Sequence, residues 1–143
     1  MNYKINYSND TIIVVDIIIK KEKKVLLYLK KRDNAFELPG GYVLEGMDLY
    51  DSVIYHVREQ ISLIIEKKDI EIVHIMHYPL GKKLYILLRT EKFRGKLENK
   101  IPTEYSDLTW FDFNHLPSKL HKKLFKSFKE IEEGVFYSEY VKK

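Results

Sequence analysis

Two stretches of β-branched and apolar residues open the chain, Thr11–Lys20 and Val25–Lys31, separated by the polar segment Lys21–Lys24. This pattern predicts two strands joined by a turn. In the first, the apolar run Ile12–Ile19 is interrupted at Asp16, and its length and β-branching predict a buried strand rather than a membrane span. Arg32–Ala35 reads as a loop, and Glu37–Val43 as a short extended segment turned at Gly40-Gly41. From Asp48 to Glu66, apolar residues at Tyr50, Val53, Ile54, Val57, Ile61 and Ile64 recur at helical spacing, with Asp48 placed to cap the first turn.

Further on, Ile70–Tyr78 and Lys83–Arg89 read as strands around a Pro79-Leu80-Gly81-Lys82 hairpin turn. A polar loop, Phe93–Asp107, precedes a strand at Leu108–Phe113. Leu116-Pro117 stops that strand, and a helix from about Ser118 to Glu133 ends at Gly134, before an aromatic tail, Val135–Val141. Helices mixed with strands that include a hairpin predict an α/β or α+β arrangement, a mixed sheet covered by helices. The chain shows no repeat, linker or low-complexity tract, so its 143 residues are expected to form one domain.

Composition narrows the functions. A hydrophobic content of 45% and a charged content of 32% are those of a folded globular chain. The absence of cysteine excludes disulfides and thiolate metal sites. No run reaches membrane-spanning length and the N-terminus lacks the order of a signal peptide, so a cytoplasmic location is expected. The net charge of +4 comes with lysine clusters at Lys20–Lys24, Lys30–Lys31, Lys82–Lys83, Lys122–Lys123 and Lys142–Lys143. They would attract polyanions, but no nucleic-acid-binding motif accompanies them.

The stretch from Phe36 to Leu63, Phe-Glu-Leu-Pro-Gly-Gly followed by the amphipathic helix, resembles the signature box of the MutT-like Nudix hydrolases, which cleave nucleoside diphosphates linked to another group. The likeness continues in Val25-Leu26-Leu27-Tyr28-Leu29-Lys30, in Trp110-Phe111-Asp112 through Leu116-Pro117, in Val73-His74-Ile75-Met76-His77 and in the tail from Gly134 to Tyr140. It implies an α/β/α sandwich with a mixed β-sheet between helices. In that family, carboxylates on one helix face hold Mg²⁺ or Mn²⁺ against the substrate's phosphates, as hard cations require.

Aligned without gaps, Gly41 matches the glycine of the box and Glu59 matches the first of its paired glutamates. Met47 stands at the position of the leading glutamate, Tyr55 and His56 replace the Arg-Glu pair, Gln60 replaces the second paired glutamate and Ser62 the final glycine. Loss of Glu and Arg together, at Met47 and Tyr55, avoids a stranded charge and would suit a repacked Met–aromatic contact. An amide and an imidazole are poor substitutes for carboxylates around Mg²⁺. His56 and Glu59 at i, i+3 would make half of a transition-metal site, or simply a solvated helix face.

The resemblance therefore assigns Glu59, Gln60 and His56 as candidate catalytic residues, with Glu59 and Glu45 as candidate metal ligands. Gly40, Gly41, Arg32, Tyr42 and Glu104 are candidate contacts to substrate, with Lys30 beside Arg32. Tyr42, Tyr78, Tyr85 and Phe93 are candidate stacking surfaces. Mg²⁺ or Mn²⁺ is implied if the protein is active, and possible homodimerisation is a family expectation. The residues favour weak or lost pyrophosphohydrolase activity. Three alternatives stand open: a residual hydrolase, a catalytically silent module binding a nucleotide or a protein, and a scaffold without a small ligand.

Overall fold

The structure, a computed structural model, describes residues 10–141. Lys142 and Lys143, the last of the lysine clusters, lie outside them. The elements in chain order are β1 (Ile12–Lys21), β2 (Lys24–Lys30), β3 (Ala35–Glu37), β4 (Gly40–Tyr42), α1 (Leu49–Ile61), β5 (Glu71–Tyr78), β6 (Lys83–Thr90), β7 (Tyr105–Asp112), α2 (Lys122–Glu132) and β8 (Tyr137–Glu139). The sheet runs β3-β2-β1-β6-β5-β8, with β4 also paired to β1 and β7 to β2. It is mixed: β1–β6 and β5–β8 are parallel, and the remaining pairs antiparallel.

Alternation along β1 divides the core. Val15, Ile17 and Ile19 pack with Val53, Val57 and Ile61 of α1 on one face, while Ile18 packs with Leu87, Leu120 and Leu124 beneath α2 on the other. Successive side chains of a strand point to opposite faces, so a near-continuous apolar run marks a strand covered on both sides. The expected Nudix-type α/β/α sandwich is the observed architecture. Asp16 lies between Val14 and Ile18 on the α2 face, at the centre of the sheet, opposite Gly40 of β4 and Leu87 of β6.

Several boundaries differ from the sequence reading. Helix α1 ends at Ile61, not Glu66: Ser62 adopts a left-handed conformation and its N–H bonds to the Arg58 carbonyl. Ile64 then bridges Arg94, and Glu98 N–H and Lys100 N–H bond to the carbonyls of Ile61 and Gln60, so the long loop supplies donors to the helix end. That loop ends earlier than expected, because β7 begins at Tyr105, past a register shift in β2 between Leu27 and Leu29. Helix α2 begins only at Lys122, because Leu120 first bridges Phe36 and His121 caps the helix. Gly40-Gly41 lies within strand β4 rather than in a turn. The aromatic tail contributes β8 to the sheet edge. Asp48 caps α1 as expected, its Oδ1 accepting the Asp51 N–H at 2.8 Å.

Candidate functional site

A cleft of about 640 Å³ opens where β1, β2, β4 and the loop ahead of β7 meet the N-terminus of α2. Its exposed rim carries Lys31, Arg32, Tyr42 and Glu104; its buried liners include Tyr28, Gly40, Gln60 and Lys123. The cleft thus gathers Gly40, Gly41, Arg32, Tyr42, Glu104, His56 and Gln60 from the sequence-based candidates, together with Lys30 and Tyr85. Glu45 and Glu59 are not among its lining residues.

The helix face facing the cleft is committed to backbone. Gln60, 7% exposed, donates from Nε2 to the Gly40 carbonyl at 2.7 Å and accepts the Gly40 N–H at 3.2 Å. The same Oε1 accepts the Tyr28 hydroxyl at 3.2 Å. His56 Nε2 lies 2.7 Å from the Tyr42 carbonyl, which can only accept, so that nitrogen carries the proton. The His56 ring covers Gly41 so closely that a Cβ there would lie 2.9 Å from Nε2. Glycine is required at Gly41 by this approach and at Gly40 by its φ of 148°. Glu59 turns toward the long loop, with Lys100 Nζ at 3.9 Å.

This donor set does not fit a hard divalent cation. One amide and one imidazole are engaged with backbone, and the single carboxylate of that face lies off the cleft beside an ammonium. Among the described residues, no group of three or more His, Asp or Glu is arranged to hold a metal. Met47 and Tyr55 remain at the surface, 40% and 36% exposed, rather than forming a buried pair. Tyr55 instead meets the Arg58 guanidinium and the edge of the His56 ring. Glu45 is exposed in the loop ahead of α1. Of the stacking candidates, Phe93 packs on Trp110 and Tyr78 on Tyr140. His74 is fully buried away from the cleft, its ring nitrogens against the Val135 carbonyl and the Ser138 hydroxyl.

Sequence reasoning passed over the charged group inside the cleft. Lys123, in the first turn of α2 and 8% exposed at its side chain, bonds Glu37 Oε1 at 2.7 Å and sits 5.0 Å over the Tyr85 ring. Burial opposes its charge, but Asp16 and Glu37 raise its affinity for the proton above the ordinary lysine value. Burial pushes the Asp16 carboxyl up to about 7, with Lys123 opposing and Glu37 adding to the rise. His121, at the same helix end, is lowered by burial and by Lys123. The available signal was Asp16 itself, a carboxylate inside an otherwise apolar buried strand, since such groups are seldom buried without a partner.

No protein-family model matches the chain. It is 29% identical over 130 residues to the ADP-ribose pyrophosphatase of Methanocaldococcus jannaschii, an alignment spanning 85% of this chain and 75% of that protein. The MutT Nudix hydrolase of Burkholderia pseudomallei superposes with a TM-score of 0.75 at 18% identity, covering 82% of this chain and 95% of that one. An ADP-ribose pyrophosphatase of Streptococcus suis superposes with a TM-score of 0.61 at 21% identity, over 92% and 99% of the two chains. The chain therefore has the fold of the MutT-like Nudix hydrolases and is related in sequence to a protein that carries one of their activities.

Proposed function

We propose that this chain is a Nudix-family protein that binds a nucleoside-diphosphate-linked small molecule in its cleft and hydrolyses it weakly or not at all. The observation that carries this reading is the engagement of the α1 face by backbone. Gln60 is clamped on Gly40 and His56 on the Tyr42 carbonyl, while the basic and aromatic rim of the cleft remains formed. Binding needs shape and cationic side chains; hydrolysis by the family route needs in addition a metal that neutralises phosphate charge and activates water. The first set is present, with Lys30, Lys31 and Arg32 around a pocket of ligand size. The residues on α1 do not supply the second.

In this reading the box has kept its helix and lost most of its metal-binding carboxylates. Gly40 and Gly41 shape the cleft wall, Tyr42 at the rim offers a ring face, and the cations neutralise phosphate. Any residual turnover would have to draw its Mg²⁺ or Mn²⁺ ligands from Glu59 together with Glu45 or Glu104, since the α1 face by itself does not hold a cation. The relationship to ADP-ribose pyrophosphatases makes ADP-ribose the first compound to test, followed by UDP-sugars and 8-oxo-dGTP. Each is incubated with Mg²⁺ or Mn²⁺ while product release and thermal stabilisation are followed in parallel. Stabilisation without turnover is expected. Brisk turnover abolished by Glu59→Gln overturns the silent reading, and neither stabilisation nor turnover overturns the binding reading.

A further inference from the structure

The sheet ends at β8, which pairs with β5 on one side and with no described strand on the other. The Ile75 N–H bonds the Phe136 carbonyl, and the Tyr140 N–H bonds the His77 carbonyl. The backbone groups of Ser138 between them therefore face β5. Tyr137 and Glu139 turn their N–H and C=O groups outward, because successive residues of a strand alternate. No described residue pairs with those four groups. The same edge is apolar: Phe136, Tyr137 and Val141 are 52%, 50% and 63% exposed, and Val135 is exposed beside them. Lysine and proline, the usual guards of an open edge, do not occur between Val135 and Val141. An apolar edge with open backbone groups is a template for another strand.

We infer that this edge pairs with β8 of a second copy of the chain, antiparallel, about a two-fold axis between the two Ser138 residues. The segment Val135-Phe136-Tyr137-Ser138-Glu139-Tyr140-Val141 is nearly symmetric about Ser138, with a valine at each end and an aromatic ring next to it. With Ser138 on the axis, Val135 meets the partner's Val141, Phe136 meets the partner's Tyr140, and Tyr137 meets the partner's Glu139. In an antiparallel ladder, directly opposed residues exchange both backbone bonds. Setting Tyr137 opposite the partner's Glu139 therefore pairs all the outward N–H and C=O groups of both copies. Tyr140 already stands edge-on to Tyr78 at 5.3 Å, so the arriving Phe136 ring extends an aromatic cluster. Tyr137 brings its hydroxyl to the partner's Glu139 carboxylate. Such an interface is isologous, as a two-fold demands. The edge is separate from the cleft, whose lining includes no residue of this segment, so the inference does not rest on the reading of the cleft. Seven residues a side, against about 20–30 in a standard complex, make the dimer weak, with a Kd on the order of 100 μM.

Sedimentation equilibrium of the full chain from about 10 μM to about 1 mM tests the pairing. A rise from monomer to dimer mass across that range is expected, and a protein that stays monomeric throughout overturns the inference. Tyr137→Pro removes an outward N–H and no bond to β5, so it is expected to weaken the dimer at least tenfold; unchanged association overturns the edge contact. Phe125→Asp alters an exposed apolar residue of α2 and is expected to leave association within twofold, whereas a loss equal to that of Tyr137→Pro overturns the assignment to β8. Because Tyr137→Pro can detach β8, the register is also read by single cysteines, which the chain otherwise lacks. Opposed residues of a non-hydrogen-bonded antiparallel pair hold their Cα atoms about 4.5 Å apart, within reach of a disulfide. Under copper–phenanthroline oxidation, Ser138→Cys is expected to form a symmetric disulfide at least tenfold faster than Tyr137→Cys or Glu139→Cys. Random collision favours the latter two, which are the more exposed positions, so equal or faster cross-linking there overturns the proposal.

Discussion

Gln60 grips Gly40 at both ends of its amide, donating to the Gly40 carbonyl at 2.7 Å and accepting the Gly40 N–H at 3.2 Å. A primary amide is suited to this clamp because it offers a donor and an acceptor side by side; a carboxylate offers acceptors only. The residue at this helix position therefore decides between two uses of one site, fastening β4 to α1 or presenting negative charge to a metal.

Replacing Gln60 by Leu leaves the Gly40 N–H and C=O without side-chain partners in a buried place and takes one acceptor from the Tyr28 hydroxyl, which is expected to cost about 3 kcal/mol. Gln60→Glu is expected to be destabilised at neutral pH, since an ionised glutamate repels the Gly40 carbonyl oxygen. The loss should shrink in acid, where the protonated side chain regains a donor. Urea denaturation of both variants at pH 5 and pH 7.5 measures the difference.

Asp16 gives the fold a pH dependence of definite sign. Its folded-state value of about 7 lies above the unfolded value of 3.8, so between these limits the folded chain binds the extra proton. Stability therefore falls as pH rises from about 4 to 7, by up to about 1.4 kcal/mol per pH unit from this group. Asp16→Asn removes that slope. Thermal melts of the two proteins from pH 4.5 to 8 are expected to diverge, with the variant gaining on the wild type as pH rises; parallel curves would show that the carboxyl is already ionised at the low end.

Lys123 and Glu37 form a largely buried ion pair, with side chains 8% and 13% exposed. Removing either partner strands the other, so Lys123→Met and Glu37→Leu are each expected to cost about 3 kcal/mol. The double variant is expected to cost far less than their sum. The coupling energy from a double-mutant cycle in denaturant checks this, and simple additivity would show that the pair is not formed.

His74, fully buried on β5, holds the sheet edge. Its Nδ1 donates to the Val135 carbonyl at 2.9 Å, and its Nε2 lies 3.0 Å from the Ser138 hydroxyl oxygen. His74→Leu is expected to destabilise the chain by about 2 kcal/mol. It should also release β8 before the rest of the sheet, seen as faster hydrogen exchange at Ser138 and at the Tyr140 N–H that bonds the His77 carbonyl. Uniform exchange across the sheet would show that the imidazole is not what retains β8.

The family resemblance implied the sandwich class, and local sequence was enough for the strands β1, β2, β5 and β6, for the body of both helices and for the Asp48 cap. These follow from local periodicity and from alternation between two buried faces, which neighbours along the chain encode directly. It also named residues that do line the cleft, among them Gly40, Gly41, Arg32, Tyr42 and Glu104. Tertiary structure decided the rest. Helix α1 stops at Ile61 because the long loop supplies donors to its carbonyls, although Ile64 keeps the helical stripe going. Tyr137–Glu139 becomes a strand because β5 offers an unpaired edge. Gln60 becomes a backbone clamp only because Gly40 is brought against it. The Asp16–Glu37–Lys123 group joins β1, β3 and α2, and Glu37 and Lys123 meet across 86 positions of sequence. No local pattern records a meeting at that distance, because burial and charge coupling arise only when the sheet and the second helix close over one another.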